Sequence, residues 1–210
     1  AVKQGDKVYY SVSDFTSGDN PLGTHKAYRS RILVFDQDGR LTDTLSKPGL
    51  KSNDLDSIYL RMIGLAQDTG NLLLGYQYTG WSTLIGNKVQ SFKEYDISNK
   101  QVKREIQLDT SIGEGFIILQ FLSDSNFTMV AGGVSQPGQQ AYNGFYTFYD
   151  EHYNIVSSAQ SDSMMGFYLI QKLGDKIFHF VSAVGLQFQV FNAHDLSLDT
   201  NLPRPLGYPS

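Results

Sequence analysis

The chain contains no cysteine. Disulfide bonds, cysteine-ligated zinc and thiol catalysis are therefore excluded. A chain of 210 residues can bury roughly 70% of its unfolded surface, so it needs no cross-links to fold. Large secreted β-proteins also manage without disulfides, so the missing cysteines do not fix the cellular compartment.

Long apolar runs and basic clusters are missing as well. No apolar run approaches the ~18 residues of a membrane helix, so we expect no membrane span. The longest basic run is Lys103-Arg104, which argues against binding to nucleic acid. Charged residues make up only 18% of the chain, below the ~25% of average globular domains. Tyr, Gln, Asn, Ser, Thr and Gly replace them, and this composition favours a secreted, extracellular protein.

Two further features concern secretion. The sequence begins at Ala1 without a methionine, which fits either a mature protein after signal-peptide removal or a fragment boundary. Asn126-Phe127-Thr128 is the one N-glycosylation sequon, and it falls at a predicted turn. We therefore expect Asn126 to be a glycosylation site.

An aromatic-rich run that ends in Asp or Asn recurs four times. The runs are 32–36 (ILVFD), 92–96 (FKEYD), 146–150 (YTFYD) and 188–192 (FQVFN). Their ends lie 60, 54 and 42 residues apart, and periods of this size indicate stacked or radially arranged units.

Each unit contains up to four strand-like segments, A to D. In the second unit, 58–65 (IYLRMIGL) and 71–78 (NLLLGYQY) are mostly apolar, whereas 88–96 and 101–108 alternate between polar and apolar residues. This gradient predicts that A and B lie inside and D at a solvated edge. The A segments of units three (GFIILQFL) and four (GFYLIQKL) share Gly, Phe, Gln and Leu at the same positions.

The first unit starts late, because residues 5–10 (GDKVYY) resemble the A–B turn and strand B at 174–179 (GDKIFH). Residues 206–208 (LGY) resemble the start of a strand A at 165–167 (MGF). The two chain ends would thus each contribute part of one strand A. Alternatively, the chain is a segment cut from a longer array of repeats. We predict one domain over 1–210, with units at about 1–46 plus 206–210, 57–108, 115–160 and 166–200.

These four-segment units resemble the blades of a β-propeller, in which antiparallel four-stranded sheets surround a central channel. The Gly-His and Trp-Asp marks of WD40 repeats are missing, as are a kelch doublet in every unit and the hemopexin motif. The resemblance implies an all-β fold with about four blades. A β-sandwich or jelly roll is the alternative, because regularly spaced short strands also build those folds.

The connections between strands B and C are long in three units and hold the candidate binding residues. A propeller would place these connections on one face, and loops on a rigid scaffold are common binding sites. Aromatic side chains among Gln, Asn and Gly favour sugar stacking or protein contact, unless Trp81 only covers the end of its own blade. The candidates are Trp81, Tyr142, Tyr78, Gln139, Gln140, His25 and Tyr28.

Catalytic and metal sites have weaker support. Glu114 is the one glutamate at a predicted channel mouth, with Asp109, Asp162 and Asp56 in related loops. Asp36 and Asp38 resemble the start of a calcium loop, but its later ligands are absent. A simpler interpretation is that the recurring Asp or Asn caps the C–D hairpin. Calcium is therefore a secondary hypothesis, and no other cofactor is expected.

The sequence predicts a non-enzymatic, secreted binding or structural module. It would recognise a carbohydrate or a protein, or form homo-oligomers, through the B–C loops. A hydrolase or lyase acting near Glu114 is one alternative. Another is part of a larger propeller that other segments complete.

Overall fold

The computed structural model describes residues 1–16, 27–46, 58–66, 70–78, 90–113, 115–135, 142–164, 168–183 and 185–202. Within these ranges the chain forms four antiparallel sheets of four strands each. Sheet I contains β1 (Val2–Gln4), β2 (Lys7–Thr16), β3 (Ala27–Phe35) and β4 (Leu41–Ser46). Sheet II contains β5 (Ile58–Leu65), β6 (Leu72–Tyr78), β7 (Ser91–Asp96) and β8 (Gln101–Gln107). Sheet III contains β9 (Gly115–Asp124), β10 (Phe127–Ser135), β11 (Tyr142–Tyr149) and β12 (Ile155–Met164), and sheet IV contains β13 (Tyr168–Leu173), β14 (Lys176–Ala183), β15 (Gly185–Asn192) and β16 (Leu198–Leu202).

In every sheet the strand order follows the chain, so each sheet is a simple meander. The predicted strand Ile58–Leu65 has the predicted bounds, and the other three predicted strands of the second unit differ by one to three residues at one end. The four-strand units predicted from the sequence are therefore confirmed.

Sheet I has an innermost strand of three residues, β1, in which Val2 pairs with Tyr9. The N-terminal residues thus supply strand A of the first unit, as the comparison with 174–179 predicts. The expected contribution of 206–210 lies outside the described residues. The predicted domain limits therefore stay a prediction.

The same irregularity recurs where β3, β7, β11 and β15 pair with the strand that follows. In each pair the register shifts by a bulge next to the last aromatic residue before the turn. The shifts lie at Val34/Phe35, Glu94/Tyr95, Phe148/Tyr149 and Val190/Phe191. The bulge thus lies at the same place in every recurring run, just before the final Asp or Asn.

Side chains alternate between the two faces of each sheet, and each face of an inner sheet packs on a different neighbour. In β6, Leu72 and Leu74 join a core with sheet I, whereas Leu73 joins a core with sheet III. In β10, Val130 packs towards sheet II and Met129 towards sheet IV. Burying each such side chain contributes about 1.5–3 kcal/mol.

Three apolar cores therefore join sheets I to II, II to III and III to IV. Sheets II and III bury both of their faces, which a two-layer sandwich does not do. The sandwich or jelly-roll alternative is wrong for this reason. No helix among the described residues is long and apolar enough to span a membrane.

The innermost strands β5 and β9 approach each other closely at Gly64. A Cβ added at Gly64 would lie 2.5 Å from Cβ of Phe121 on β9. The missing side chain therefore sets the spacing between sheets II and III.

Candidate functional site

The strand ends of each sheet form two opposite rows, which carry different connections. Here we call each row of strand ends an edge, as distinct from an outermost strand. We call the edge with the A–B and C–D turns the turn edge, and the edge with the B–C and D–A connections the loop edge. Contacts between sheets show that turn edges lie on the same side. Lys172 at the turn end of β13 pairs with Asp124 at the turn end of β9, and Gln4 of sheet I approaches Gly70 of sheet II. Gly64, next to the turn end of β5, lies against Phe121 in the turn half of β9, which aligns sheets II and III in the same sense. The long B–C connections therefore belong to one common edge of the assembly.

Three of the candidate binding residues lie on described strands, all at the loop edge. Tyr78 is the last residue of β6, Tyr142 is the first residue of β11, and Tyr28 is the second residue of β3. The other four candidates, Trp81, Gln139, Gln140 and His25, lie outside the described residues. The strands thus bring three tyrosine positions from three sheets to the edge that the sequence predicted.

Glu114 also lies outside the described residues, but its surroundings belong to the loop edge. It follows a short 3₁₀ helix (Thr110–Ile112) that connects sheet II to sheet III. Asp109 caps this helix by accepting from the Ser111 main-chain nitrogen at 3.0 Å and from its hydroxyl at 2.6 Å. Burial raises the pKa of Asp109, but hydrogen bonds from Ser111 and Ser158 outweigh it and hold the pKa below its usual value.

The hydrogen bonds of Asp109 are those of a helix cap, and this structural role accounts for the residue without catalysis. Asp109 was a candidate partner for Glu114, and an ionised carboxylate that accepts several hydrogen bonds is a poor proton donor at neutral pH. The two other candidate partners, Asp56 and the side chain of Asp162, lie outside the described residues.

The recurring Asp or Asn caps the turn in all four C–D hairpins. Asp36 Oδ1 accepts from the main-chain nitrogens of Asp38 at 3.0 Å and Arg40 at 2.8 Å. Equivalent bonds hold Asp96, Asp150 and Asn192. Hydrogen bonds of this kind lower the pKa of Asp150, chiefly through the Asn154 side chain. The hairpin interpretation is confirmed, and no group of three or more potential metal ligands occurs among the described residues.

Asn126 is exposed in the A–B turn between β9 and β10, so the predicted turn is confirmed. The Thr128 hydroxyl of the sequon lies 3.0 Å from that of Ser123, and Thr128 is 5% exposed. A glycan on Asn126 would project from the turn edge and leave the loop edge free. Glycosylation itself stays a prediction.

Sequence reasoning missed one buried charge, Glu94, which is 1% exposed on β7. Its Oε1 accepts from Asn71 Nδ2 at 2.6 Å and from Lys103 Nζ at 3.2 Å. Arg104 Nε lies 2.7 Å from its Oε2, an ion-pair contact without the alignment of a good hydrogen bond. Glu94 lies directly opposite Arg104 in the pairing of β7 with β8, a register that only the structure shows.

Tyr153 covers this ion pair from sheet III. The Arg104 guanidinium lies 5.0 Å from the centre of the Tyr153 ring, within the range of a cation–π contact. Burial and then the nearby Glu94 charge raise the pKa of Tyr153 to about 12. These contacts make the Glu94 cluster a structural junction between two sheets.

His179 is fully buried on β14. Its Nδ1 donates to Gln189 Oε1 at 3.1 Å, and its ring lies 6.0 Å from that of Tyr146. Burial lowers the pKa of His179 to about 4, although the bond to Gln189 opposes this shift. The imidazole is therefore neutral at pH 7.

No protein-family model matches the sequence, and no curated protein matches it. Among solved structures, the chain is similar to the Dos1 propeller, with a TM-score of 0.51 and 13% identity over 84% of this chain. It is similar to a protein of unknown function from Bacteroides caccae, with a TM-score of 0.50 and 14% identity over 87% of this chain. The dihydro-heme d1 dehydrogenase NirN, in complex with DHE, matches with a TM-score of 0.46 and 14% identity over 91% of this chain.

The chain spans 43%, 64% and 38% of those three chains in the same order, less than two thirds of each. Identities this low show a shared fold and carry no activity from one protein to another. Four meander sheets that pack in sequence, together with the match to a propeller, show that the chain has a β-propeller fold.

Proposed function

We propose that this protein is a non-enzymatic, secreted recognition module that binds a glycan or a protein at its loop edge. The observation that carries the proposal is the convergence of Tyr28, Tyr78 and Tyr142 on that edge from three separate sheets. The segments next to them contain Trp81, His25, Gln139 and Gln140.

The chemistry of these residues favours a ligand of low charge. Tyr and Trp offer flat apolar surfaces with one polar group each, and Gln adds hydrogen bonds of both kinds. Such residues stack on sugar rings, and they also dominate the centres of protein interfaces. Of the two ligand classes, we favour a glycan, because the loop segment 79–89 has one charged residue in eleven (TGWSTLIGNKV).

A glycan array with the purified protein tests this choice, followed by affinity measurements on the best glycan. We expect Tyr142→Ala and Trp81→Ala to weaken binding at least tenfold, which corresponds to a loss of about 1.4 kcal/mol per variant. His152→Ala is the control, because His152 is exposed in a turn at the opposite edge. Binding that survives both loop variants would refute a glycan site at the loop edge.

Two other outcomes have their own meaning. If a protein ligand binds and Tyr142→Ala weakens that binding, the site is correct but its ligand is a protein. If the protein converts the glycan and Glu114→Gln abolishes this activity, the protein is a hydrolase or lyase.

Secretion is tested separately. A mass increase that Asn126→Gln removes shows a glycan on Asn126, which requires passage through a glycosylating compartment.

A further inference from the structure

The repeat makes it possible to compare equivalent positions in all four sheets. We call the face that a sheet turns to the preceding sheet its trailing face, and the other its leading face. One cross-strand pair marks the trailing face of every sheet. These pairs are Val8↔Phe35, Leu72↔Tyr95, Thr128↔Tyr149 and Ile177↔Phe191.

In sheets II, III and IV the preceding sheet covers the trailing pair. Leu72, Tyr149 and Ile177 are fully buried, and their pair partners Tyr95 and Thr128 are no more than 5% exposed. In sheet I, by contrast, Val8 and Phe35 are only half-buried. Their neighbours on the same face, Tyr10 and Leu41, are 52% and 55% exposed.

The leading face of sheet IV is open in the same way. Phe178 occupies the position of Tyr9, Leu73 and Met129, which are 4% exposed or less, yet Phe178 is only half-buried. Leu169 and Leu173 on this face are 52% and 57% exposed. Val190, at the centre of this face, is buried at 5% exposure. The exposed apolar area is therefore the part of the face around Val190.

The two open faces have complementary roles in the repeat. A leading face packs on a trailing face at each of the three interfaces between sheets. Sheet IV offers an open leading face and sheet I an open trailing face, but no apolar core joins these two sheets among the described residues. Each open face therefore fits the other, and within the described residues sheet I leaves its face uncovered and sheet IV leaves the area around Val190 uncovered.

We propose that a second copy of this chain covers both faces. The leading face of sheet IV in each copy packs on the trailing face of sheet I in the other, which closes a ring of eight sheets with twofold symmetry. One partner supplies both missing contacts, so the two interfaces form together. The Dos1 propeller chain is longer than this one, which spans 43% of it, so a propeller with more than four sheets is compatible with the shared fold.

The proposal predicts a stable dimer in solution. Native mass spectrometry and light scattering should give twice the 23.5 kDa chain mass. Leu169→Glu and Tyr10→Glu each place a charge in both interfaces of the ring, and each should shift the protein at least tenfold towards monomer. Val156→Glu is the matched control, because Val156 is 53% exposed but lies on the outermost strand β12. It should leave the dimer intact.

Mixing the two face variants gives a sharper test. A heterodimer of Leu169→Glu with Tyr10→Glu has one interface without substitutions and carries both charges in the other. We therefore expect the mixture to form more dimer than either variant alone at the same concentration. Circular dichroism verifies that each variant is folded.

Three results would overturn the proposal. A wild-type monomer at micromolar concentration would mean that the faces close within one chain or bind further sheets of another polypeptide. A dimer that both face variants leave intact would place the contact elsewhere. Filaments or mixed sizes would exclude a closed ring.

Discussion

The phenol of Tyr149 on β11 donates a hydrogen bond of 3.1 Å to the main-chain oxygen of Gln107 at the end of β8. This bond joins sheet III to sheet II at the rim of their apolar core. Tyr149 itself is fully buried, and burial, with a smaller contribution from Asp109, raises the pKa of its hydroxyl. The phenol therefore acts as a neutral donor at neutral pH.

Replacing Tyr149 by Phe should remove this bond and keep the packing. The expected loss is about 1 kcal/mol of unfolding free energy, since the Gln107 oxygen loses its partner in a partly buried place. Urea denaturation measures it. Tyr146→Phe is the control, because the Tyr146 hydroxyl forms no hydrogen bond with the described residues, and burial alone raises its pKa. Equal losses in the two variants would show that the bond contributes nothing specific.

Gly64 should not tolerate a side chain. Gly64→Ala places a Cβ 2.5 Å from Cβ of Phe121, so β5 and β9 must move apart. We expect a loss of roughly 1–3 kcal/mol, the usual cost of an overpacked core. At Gly75 the nearest atoms are at 3.2–3.3 Å, and two of them belong to the Phe121 ring. Gly75→Ala should therefore cost less, and a reversed order in urea denaturation would contradict the packing of sheets II and III.

Arg104 should contribute more than Lys103 to the stability of the Glu94 cluster. Arg104 is closer to the buried carboxylate, 2.7 Å against 3.2 Å, and it also covers the Tyr153 ring. Arg104→Met leaves a buried charge with weaker compensation, and we expect a loss of about 2 kcal/mol after allowing for the partial exposure of the arginine. Lys103→Met serves as the matched control. Unfolding free energies that rank the two variants the other way would contradict this geometry.

His179 should make the protein less stable in weak acid. Its pKa falls from 6.5 to about 4 on folding, so the unfolded chain binds a proton that the folded protein does not. Stability from this group is complete above pH 6.5 and is lost as the pH falls towards 4, up to roughly 3 kcal/mol.

Denaturant midpoints between pH 7 and pH 4.5 measure this effect. His179→Gln should flatten the dependence in that window. An unchanged slope in His179→Gln would show that another group carries the pH dependence.

Local patterns in the sequence predict most of the fold. Alternation of apolar residues and the recurring Asp or Asn locate the strands and the C–D turns, because both depend on neighbours along the chain. The bulge before Asp96 and the burial of Glu94 were not predictable in this way. They depend on a neighbouring strand and on Tyr153 of the next sheet, contacts that no local pattern encodes.

The candidate site is predictable only in part. Topology alone places Tyr28, Tyr78 and Tyr142 at the loop edge, since a meander sends alternate connections to opposite ends. The open faces of sheets I and IV could not be recognised beforehand. Val8 and Phe35 are at least as apolar as their buried equivalents, which include Thr128, so only packing distinguishes the exposed pair.

The four sheets pack in chain order, I to II, II to III and III to IV. Spin-label distances within one chain measure this order. The absence of cysteine allows pairs of labels at Asp38→Cys, Ser98→Cys, His152→Cys and His194→Cys, one in each C–D turn. Labelled protein is diluted with unlabelled protein, so that only distances within one chain are measured. Because the sheets pack in chain order, we expect pairs from consecutive sheets (38–98, 98–152 and 152–194) to be closer than pairs that skip a sheet. A 38–152 distance shorter than 38–98 would contradict it, because sheets I and III would then face each other as two layers.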